Sequence, residues 1–226
     1  HDDTNDFGSA TTGRITGHAD LGAGFGLSGA WGTGCRTPSV SQSVCDCCCS
    51  RAPLPALVPE EGEGQEVALG WTSADRRIEG RVTLYRLTVE NQIVYRFDPV
   101  TFDSVYINLD ETETDGVEVE GRALLGAGFD LSLSYGWTDA RDATTDLPLL
   151  RVPEHKGSLG LGYVGDRLST RLTLRAESDQ PDSGGTREGF VTADLFGSWA
   201  LTPDIELTGR IDNLADERFQ RVLGYG

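Results

Sequence analysis

Five cysteines are the most reactive side chains in this 226-residue chain. Cys45, Cys47, Cys48 and Cys49 crowd together, and Cys35 lies shortly before them. A structural zinc site usually has two separated cysteine pairs, or cysteines with histidines, and adjacent cysteines cannot all bind one tetrahedral ion without strain. The spacing therefore gives only a weak indication of a metal site. It favours loop disulfides formed in an oxidising compartment, with free thiols as the alternative.

Carboxylates are a second group with metal-binding chemistry, since hard cations prefer oxygen ligands. The candidates lie in polar stretches and are Asp110, Asp115, Asp139, Asp142 and Asp146. Their spacing is not that of an EF-hand. We expect either a calcium site in external loops or an acidic surface that is merely hydrated, and we predict no other cofactor.

Histidines are too few for a convincing hydrolytic site. The chain has His1, His18 and His155, and only His155 is placed so that an aspartate, Asp139 or Asp142, could approach it. One such pair without a second is weak support for catalysis. No serine nucleophile elbow and no phosphate-binding loop is present. The sequence therefore predicts that the protein is not an enzyme.

The overall charge excludes further classes. The chain has 36 acidic and 19 basic residues and a formal charge of −17, whereas a nucleic-acid-binding protein needs a basic patch. No apolar run approaches the roughly 18 residues of a membrane-spanning helix. A strand that crosses a membrane gives a weaker, alternating signal.

Alternation is the dominant pattern in the sequence. From Phe129 to Thr138, every second residue is apolar and the residues between them are small or polar, which predicts a strand with one apolar and one polar face. The pattern recurs and predicts an all-β, antiparallel, up-and-down sheet of about ten strands with no convincing helix. The predicted strands cover residues 10–21, 24–35, 64–73, 80–97, 105–125, 128–140, 155–164, 167–178, 188–201 and 205–214.

The connections between these strands alternate in length. Short turns rich in Gly, Pro and Asp are predicted at 22–24, 73–79, 126–128, 165–167 and 202–204, and long polar loops at 36–64, 98–104, 141–154 and 178–189. Short turns on one side and long loops on the other are typical of outer-membrane barrels. Aromatic residues near both ends of the apolar faces fit the two interfaces of a bilayer.

The alternation also assigns charged side chains to the polar face. In a barrel this face lines the lumen, where charges pair with one another or contact a substrate. The predicted lumen-facing residues are Glu118, Glu120, Arg122, Arg171, Arg175, Glu206 and Arg210.

The same topology puts both chain ends on the long-loop side. Single-chain bacterial barrels have an even number of strands, and an open sheet edge in lipid leaves backbone groups unsatisfied at several kcal/mol each. We therefore expect at least one further strand beyond each end.

Several segments resemble TonB-dependent outer-membrane receptors. Residues 32–39 (GTGCRTPS) resemble the Gly-Thr-Gly-Phe-Arg-Ala-Pro-Ser stretch of that family, and Pro59-Glu60-Glu61 resembles its Pro-Glu segment before a strand. Matches at 106–108, 116–118 and 153–163 follow in the family's order, and the last lies at 213–219 (NLADERF). Cys35 and Ala215 stand where the family usually has Phe, and the cysteine cluster is not a family hallmark.

The resemblance implies that residues 1–226 are the C-terminal part of a barrel of roughly 22 strands, without the plug domain and the last strand. It implies energy-coupled uptake of a scarce metal chelate, such as a ferric siderophore or cobalamin, across the bacterial outer membrane. The implied partners are the chelate, outer-membrane lipid and a TonB-type protein that acts through the missing N-terminal region. The alternatives are a soluble or assembly β-sheet module and an outer-membrane barrel protease.

Overall fold

The computed structural model describes residues 2–4, 8–43, 56–97, 100 and 104–224. Two short strands, β1 (Asp2–Thr4) and β2 (Gly8–Ala10), pair with each other apart from the main sheet. The only helix in these ranges is a single turn, α1 (Val40–Ser43). No described helix is long and apolar enough to cross a membrane.

Ten strands form one antiparallel sheet in which each strand pairs with its neighbours in the chain. They are β3 (Arg14–Gly22), β4 (Phe25–Arg36), β5 (Glu60–Thr72), β6 (Ile78–Phe97), β7 (Ser104–Gly126), β8 (Phe129–Asp142), β9 (His155–Val164), β10 (Leu168–Glu177), β13 (Phe190–Thr202) and β14 (Ile205–Ile211). The intervening β11 (Gln180–Asp182) and β12 (Gly185–Arg187) form a separate hairpin. The predicted all-β, up-and-down architecture is confirmed, and the sheet does not close on itself within the described residues.

The alternation of turn lengths is confirmed as well. The turn between β3 and β4 uses left-handed backbone at Gly22, Ala23 and Gly24, and the turn between β7 and β8 repeats this at 126–128. Positive φ costs glycine little, so these sequences can reverse the chain tightly. At the opposite end of the sheet, the connections are long.

Four sequence expectations need correction. β5 begins at Glu60 rather than at residue 64, because it pairs with β4 as far as Arg36↔Glu60. β3 begins at Arg14, and β14 ends at Ile211. The loop predicted over 178–189 contains the hairpin β11–β12.

The hairpin of β6 and β7 extends beyond its neighbours. Its pairing continues to Phe97↔Ser104, whereas β5 stops pairing with it at Glu61↔Glu90. In this extension, the Asn108 side-chain amide bonds the backbone of Val58, as its Oδ1 accepts from Val58 N and its Nδ2 donates to Val58 O, both at 3.0 Å.

Apolar side chains do not form a conventional core. Among the described residues, the buried hydrophobic ones are Leu57, Ala68, Ile93 and Ala140. Large side chains on the sheet stay open, and Trp199 is 55% exposed. An apolar surface this continuous points to an apolar environment or a partner.

Candidate functional site

The strand register gives the sheet two chemically different faces. Val117 lies opposite Trp137 and Val119 opposite Tyr135, on what we call the apolar face. Their neighbours in sequence point to the other side, which we call the polar face, where Glu118 lies opposite Gly136.

All seven residues predicted to face a lumen lie on the polar face by this alternation. β7 carries Glu118, Glu120 and Arg122, β10 carries Arg171 and Arg175, and β14 carries Glu206 and Arg210. The structure therefore places them on a common surface. That this surface encloses a lumen in the whole protein stays a prediction.

Arginines on the β10 to β14 side have carboxylate partners. Arg171 Nη2 lies 2.7 Å from Asp130 Oδ2, Arg175 pairs with Asp194, and Arg210 Nε lies 2.6 Å from Asp212 Oδ1. Arg210 and Asp212 are well exposed, so their pair adds little stability. Its effect is to neutralise charge locally.

Charges on the β7 side are less completely paired. Glu118, Glu120 and Arg122 make no ion pair with any other described residue. Two of them lie opposite a complementary charge in the register, as Glu120 faces Arg81 and Arg122 faces Glu79. This half of the polar face can therefore still accept ionic partners. Glu206 on β14 also has no ion pair within the described ranges.

Two long side chains cross neighbouring strands over glycines. Arg171 reaches Asp130 across β9, where a Cβ on Gly162 would lie 2.8 Å from Arg171 Nη2. Tyr85 lies across β7 in the same way, and a Cβ on Gly116 would overlap its ring. The Tyr85 hydroxyl then lies 3.0 Å from Thr138 Oγ1 on β8. Glycine thus lets these side chains lie flat against the sheet.

The polar face carries two large concavities. One of about 790 Å³ lies towards the long-loop end and is lined by Glu118, Glu120, Arg175, Asp194 and Arg210 among others. Another of about 840 Å³ lies towards the short turns and is lined by residues that include His18, Arg81 and Arg122. Both have the size of small-molecule sites.

The five candidate calcium ligands are differently placed from the expectation. Asp110 and Asp115 lie in β7, and Asp139 and Asp142 in β8, so only Asp146 lies in a loop. The other four lie in strands because β7 and β8 continue beyond their alternating apolar residues.

Their contacts do not converge on one point. Both oxygens of Asp115 accept hydrogen bonds of 2.6 Å from Arg86, and Asp139 accepts one of 2.7 Å from Arg141. Asp142 caps the turn that follows by accepting the backbone N–H of residues 144 and 145. Within the described residues, no three His, Cys, Asp or Glu side chains are grouped so that they could hold a metal ion.

The remaining candidates are the cysteines and histidines. Cys35 lies in β4 and is a half-buried free thiol. Cys45, Cys47, Cys48 and Cys49 lie outside the described residues. His155 Nδ1 lies 2.9 Å from the Tyr135 hydroxyl, and its ion-pair neighbour is Glu154 rather than Asp139 or Asp142. The Tyr135 and His155 rings also stack, with 6.1 Å between their centroids and 21° between their planes.

A buried polar cluster in the 178–189 connection was missed by sequence reasoning. Arg187 has a side chain only 2% exposed, and it donates to Gln180 Oε1 at 2.8 Å and to Glu177 Oε2 at 3.2 Å. Its guanidinium carbon lies 5.1 Å from the centroid of the Phe190 ring. The signal for the hairpin was the sequence 182–185 (DSGG), which is typical of a tight turn.

Asp182, also in this cluster, has a side chain that is 1% exposed. Burial acts to raise its pKa, but the hydrogen bonds from the Leu223 and Ser183 N–H groups and from Arg151 outweigh burial and hold the pKa below its usual range. The carboxylate is therefore charged at neutral pH and joins three separate parts of the chain.

A family model described as TonB dependent receptor-like, beta-barrel matches residues 1–214. Among curated proteins, the chain is 22% identical over 224 residues to the vitamin B12 transporter BtuB of Photobacterium profundum, covering 96% of this chain and 36% of that protein. It is 26% identical over 197 residues to BtuB of Vibrio vulnificus, covering 86% of this chain and 31% of that one. The chain thus spans about a third of the length of these relatives.

Solved structures show the same fold. The copper transporter OprC superposes with a TM-score of 0.79 at 17% identity, covering 92% of this chain and 34% of that one. A mutant of the ferric enterobactin receptor PfeA from Pseudomonas aeruginosa superposes with a TM-score of 0.77 at 17% identity, covering 95% of this chain and 36% of that one. In both comparisons this sheet matches about a third of a larger chain.

Proposed function

The chain belongs to the family of TonB-dependent receptor-like β-barrels, and from this premise we propose that it forms part of the wall of an outer-membrane receptor that imports a metal chelate. The observation that carries the proposal is the division of its ten-stranded sheet into an exposed apolar face and a charged polar face. Lipid would cover the first face, and the second would line the transport path.

The energetics of the apolar face support a membrane position. Leu84, Trp199 and Leu207 are each more than half exposed in the chain alone. Each Å² of such surface left in water costs about 25 cal/mol. A soluble module without a partner would keep this cost, whereas hydrocarbon removes it.

The open edges support a larger assembly of strands. β3 and β14 each pair on one side only among the described residues. Unpaired edge groups in lipid cost several kcal/mol each. We propose that other parts of the protein supply the strands that cover these edges, and that a plug domain and a segment contacting a TonB-type protein also lie outside this chain.

The proposed substrate is a ferric siderophore or a cobalamin. The curated relatives carry the name vitamin B12 transporter, and one structural match is a ferric enterobactin receptor. The two concavities on the polar face are large enough for parts of such ligands.

Uptake in intact cells tests this proposal. The gene that encodes the chain is deleted, and accumulation of labelled cobalamin and of a panel of labelled ferric siderophores is measured before and after the gene is restored. We expect accumulation of at least one chelate to require both this gene and a functional TonB-type protein, while uptake of a small sugar stays unchanged. Unaltered accumulation of every chelate, with the protein recovered in the soluble fraction, would contradict the proposal.

A further inference from the structure

The chain reverses direction after β14 and does not continue along the free edge of the sheet. Asn213 adopts left-handed backbone, and its N–H donates to Asp194 Oδ1 at 2.9 Å. Its side chain holds the turn, because Oδ1 accepts from Glu217 N at 3.0 Å and Nδ2 donates to Glu217 O at 2.9 Å. We call residues 213–224, which follow this reversal, the strap.

The far end of the strap is fastened to the hairpin β11–β12. Leu223 N donates to Asp182 Oδ2 at 2.7 Å, and Gln180 Nε2 donates to Arg221 O at 3.4 Å. Midway along the strap, the ring of Phe219 stacks on Phe190 with 4.0 Å between centroids and 18° between planes.

Buried polar side chains hold the hairpin to which the strap is fastened. Gln180, Asp182 and Arg187 are all buried polar side chains, and each is engaged in hydrogen bonds within or next to the hairpin. These hydrogen bonds favour one hairpin geometry, although the buried Arg187 Nε has no hydrogen-bond partner among the described residues.

The strap buries little side-chain surface between its two ends. Most of its side chains are exposed, and only those at 213, 219, 222 and 223 are half-buried. Segments with few buried apolar contacts open at much lower free energy than the sheet that carries them.

The strap lies at the long-loop end of the smaller of the two charged concavities. Asn213, Phe219 and Arg221 line the concavity of about 790 Å³ together with Arg175 and Arg210 of the sheet. Movement of the strap away from Phe190 would therefore widen access to this space from the long-loop side.

We propose that the strap is a gate over this concavity, which opens by releasing Phe219 from Phe190 and Leu223 from Asp182 and closes again on the preformed hairpin. This inference rests on the proposed function, because the gated space is the outer part of the proposed transport path. It assigns a regulatory role to the Phe190–Phe219 stack and to the Asp182 carboxylate.

Thiol labelling of the full-length protein in intact cells tests the gate without requiring transport. Thr192 lines the concavity and is buried, so Thr192→Cys is introduced after the five native cysteines are replaced by serine. Labelling rates are measured with a bulky polyethylene glycol maleimide and with a small methanethiosulfonate. Phe219→Ala and Asp182→Asn loosen the strap independently, and Phe219→Trp preserves the stack.

We expect the bulky reagent to label Thr192→Cys about tenfold faster in either loosened variant, the factor that loss of a stacked aromatic pair or of a hydrogen bond to a charged group can supply. Phe219→Trp should restore the slow rate, and the small reagent should show little difference. Arg218→Ala is the matched control, since Arg218 is exposed and makes no hydrogen bond or ion pair with the described residues. Thr186→Cys, on the exposed side of the hairpin, reports whether a variant still folds and reaches the surface.

Equal bulky-reagent rates in the wild-type and loosened strap, with Thr186→Cys labelled normally in both, would overturn the gate. That result is separable from failure of the proposed function. Gated labelling without chelate uptake would contradict transport alone, and uptake with ungated labelling would contradict the gate alone.

Discussion

At the scale of single residues, the polar face depends on where glycine stands. Gly116 and Gly162 carry no Cβ, so Tyr85 and Arg171 can lie across them and bond to the next strand. A side chain held flat in this way stays out of the space in front of the sheet. These two glycines matter because they have no side chain, and not because their backbone adopts a positive φ.

The substitution Gly116→Ala tests this interpretation. The added methyl group would overlap the Tyr85 ring, so the ring should swing away and lose its hydrogen bond to Thr138, at a cost of about 0.5–1.5 kcal/mol. Tyr85→Phe removes the same bond directly. Chemical unfolding in detergent micelles should therefore give a double variant less destabilised than the sum of the two single ones.

Gly136→Ala is the control, because its nearest contact would be an ordinary 4.0 Å to Lys156 O. Strict additivity of Gly116→Ala and Tyr85→Phe would show that the glycine does not act through the tyrosine.

The Asp182 carboxylate predicts a pH dependence for the strap. Its pKa is lowered in the folded chain, so its stabilisation is complete above the ordinary value of about 3.9 and is lost as the pH falls through the lowered value. The basic side chain facing it is Arg151, whose Nε lies 2.9 Å from Asp182 Oδ1. Hydrogen exchange at the Leu223 amide, corrected for its intrinsic pH dependence, should lose protection only below about pH 4.

Asp182→Asn should remove this pH dependence and leave that of the sheet amides intact. A loss of Leu223 protection centred near neutral pH would instead point to another titrating group.

At the scale of elements, much of the sheet could be predicted from alternation alone. β8 and β9 were predicted to within one or two residues at each end, because apolar and small polar residues alternate there without interruption. The start of β5 was missed because residues 60–66 are mostly Glu and Gly, so apolar periodicity is absent although the backbone pairs with β4. The hairpin β11–β12 was missed because strands of three residues show no periodicity.

The ionic partners could not be predicted for a related reason. Alternation places Arg171 on the polar face. Its ion pair with Asp130 on β8 crosses the intervening β9, so predicting the pair requires the order of the strands in the sheet. The spatial arrangement of the calcium candidates could not be predicted either, since like residue types in one stretch need not converge in space.

The two faces of β10 provide a matched pair of substitutions. Leu172 lies on the apolar face, and its neighbour Thr173 lies on the polar face opposite Asp194. Arginine on the lipid side of a barrel near mid-membrane costs about 2–4 kcal/mol. We therefore expect Leu172→Arg to reduce the free energy of folding into lipid vesicles by that amount, and Thr173→Arg to change it little.

Equal losses for Leu172→Arg and Thr173→Arg would contradict the assignment of the faces. The measurement is equilibrium unfolding of the full-length protein in vesicles.

At the scale of the whole molecule, the sheet has the properties of one sector of a larger β-barrel wall. Its apolar face is largely exposed, its edges at β3 and β14 are unpaired on one side within the described residues, and it matches about a third of each larger relative. The formal charge of the chain is −17, and the acidic residues lie mostly off the apolar face. The strand register therefore places charged and apolar side chains on opposite faces of the sheet.

Accessibility along β8 in the outer membrane distinguishes a lipid-covered apolar face from one that faces water. Spin labels are placed singly at positions 131–136 of the full-length protein, and their collision rates with oxygen and with a water-soluble nickel chelate are compared. We expect the ratio of the two collision rates to alternate with a period of two residues. Collisions with oxygen should dominate at Leu131, Leu133 and Tyr135, and collisions with the nickel chelate should dominate at Ser132, Ser134 and Gly136. Uniform access of the nickel chelate to all six positions would contradict it.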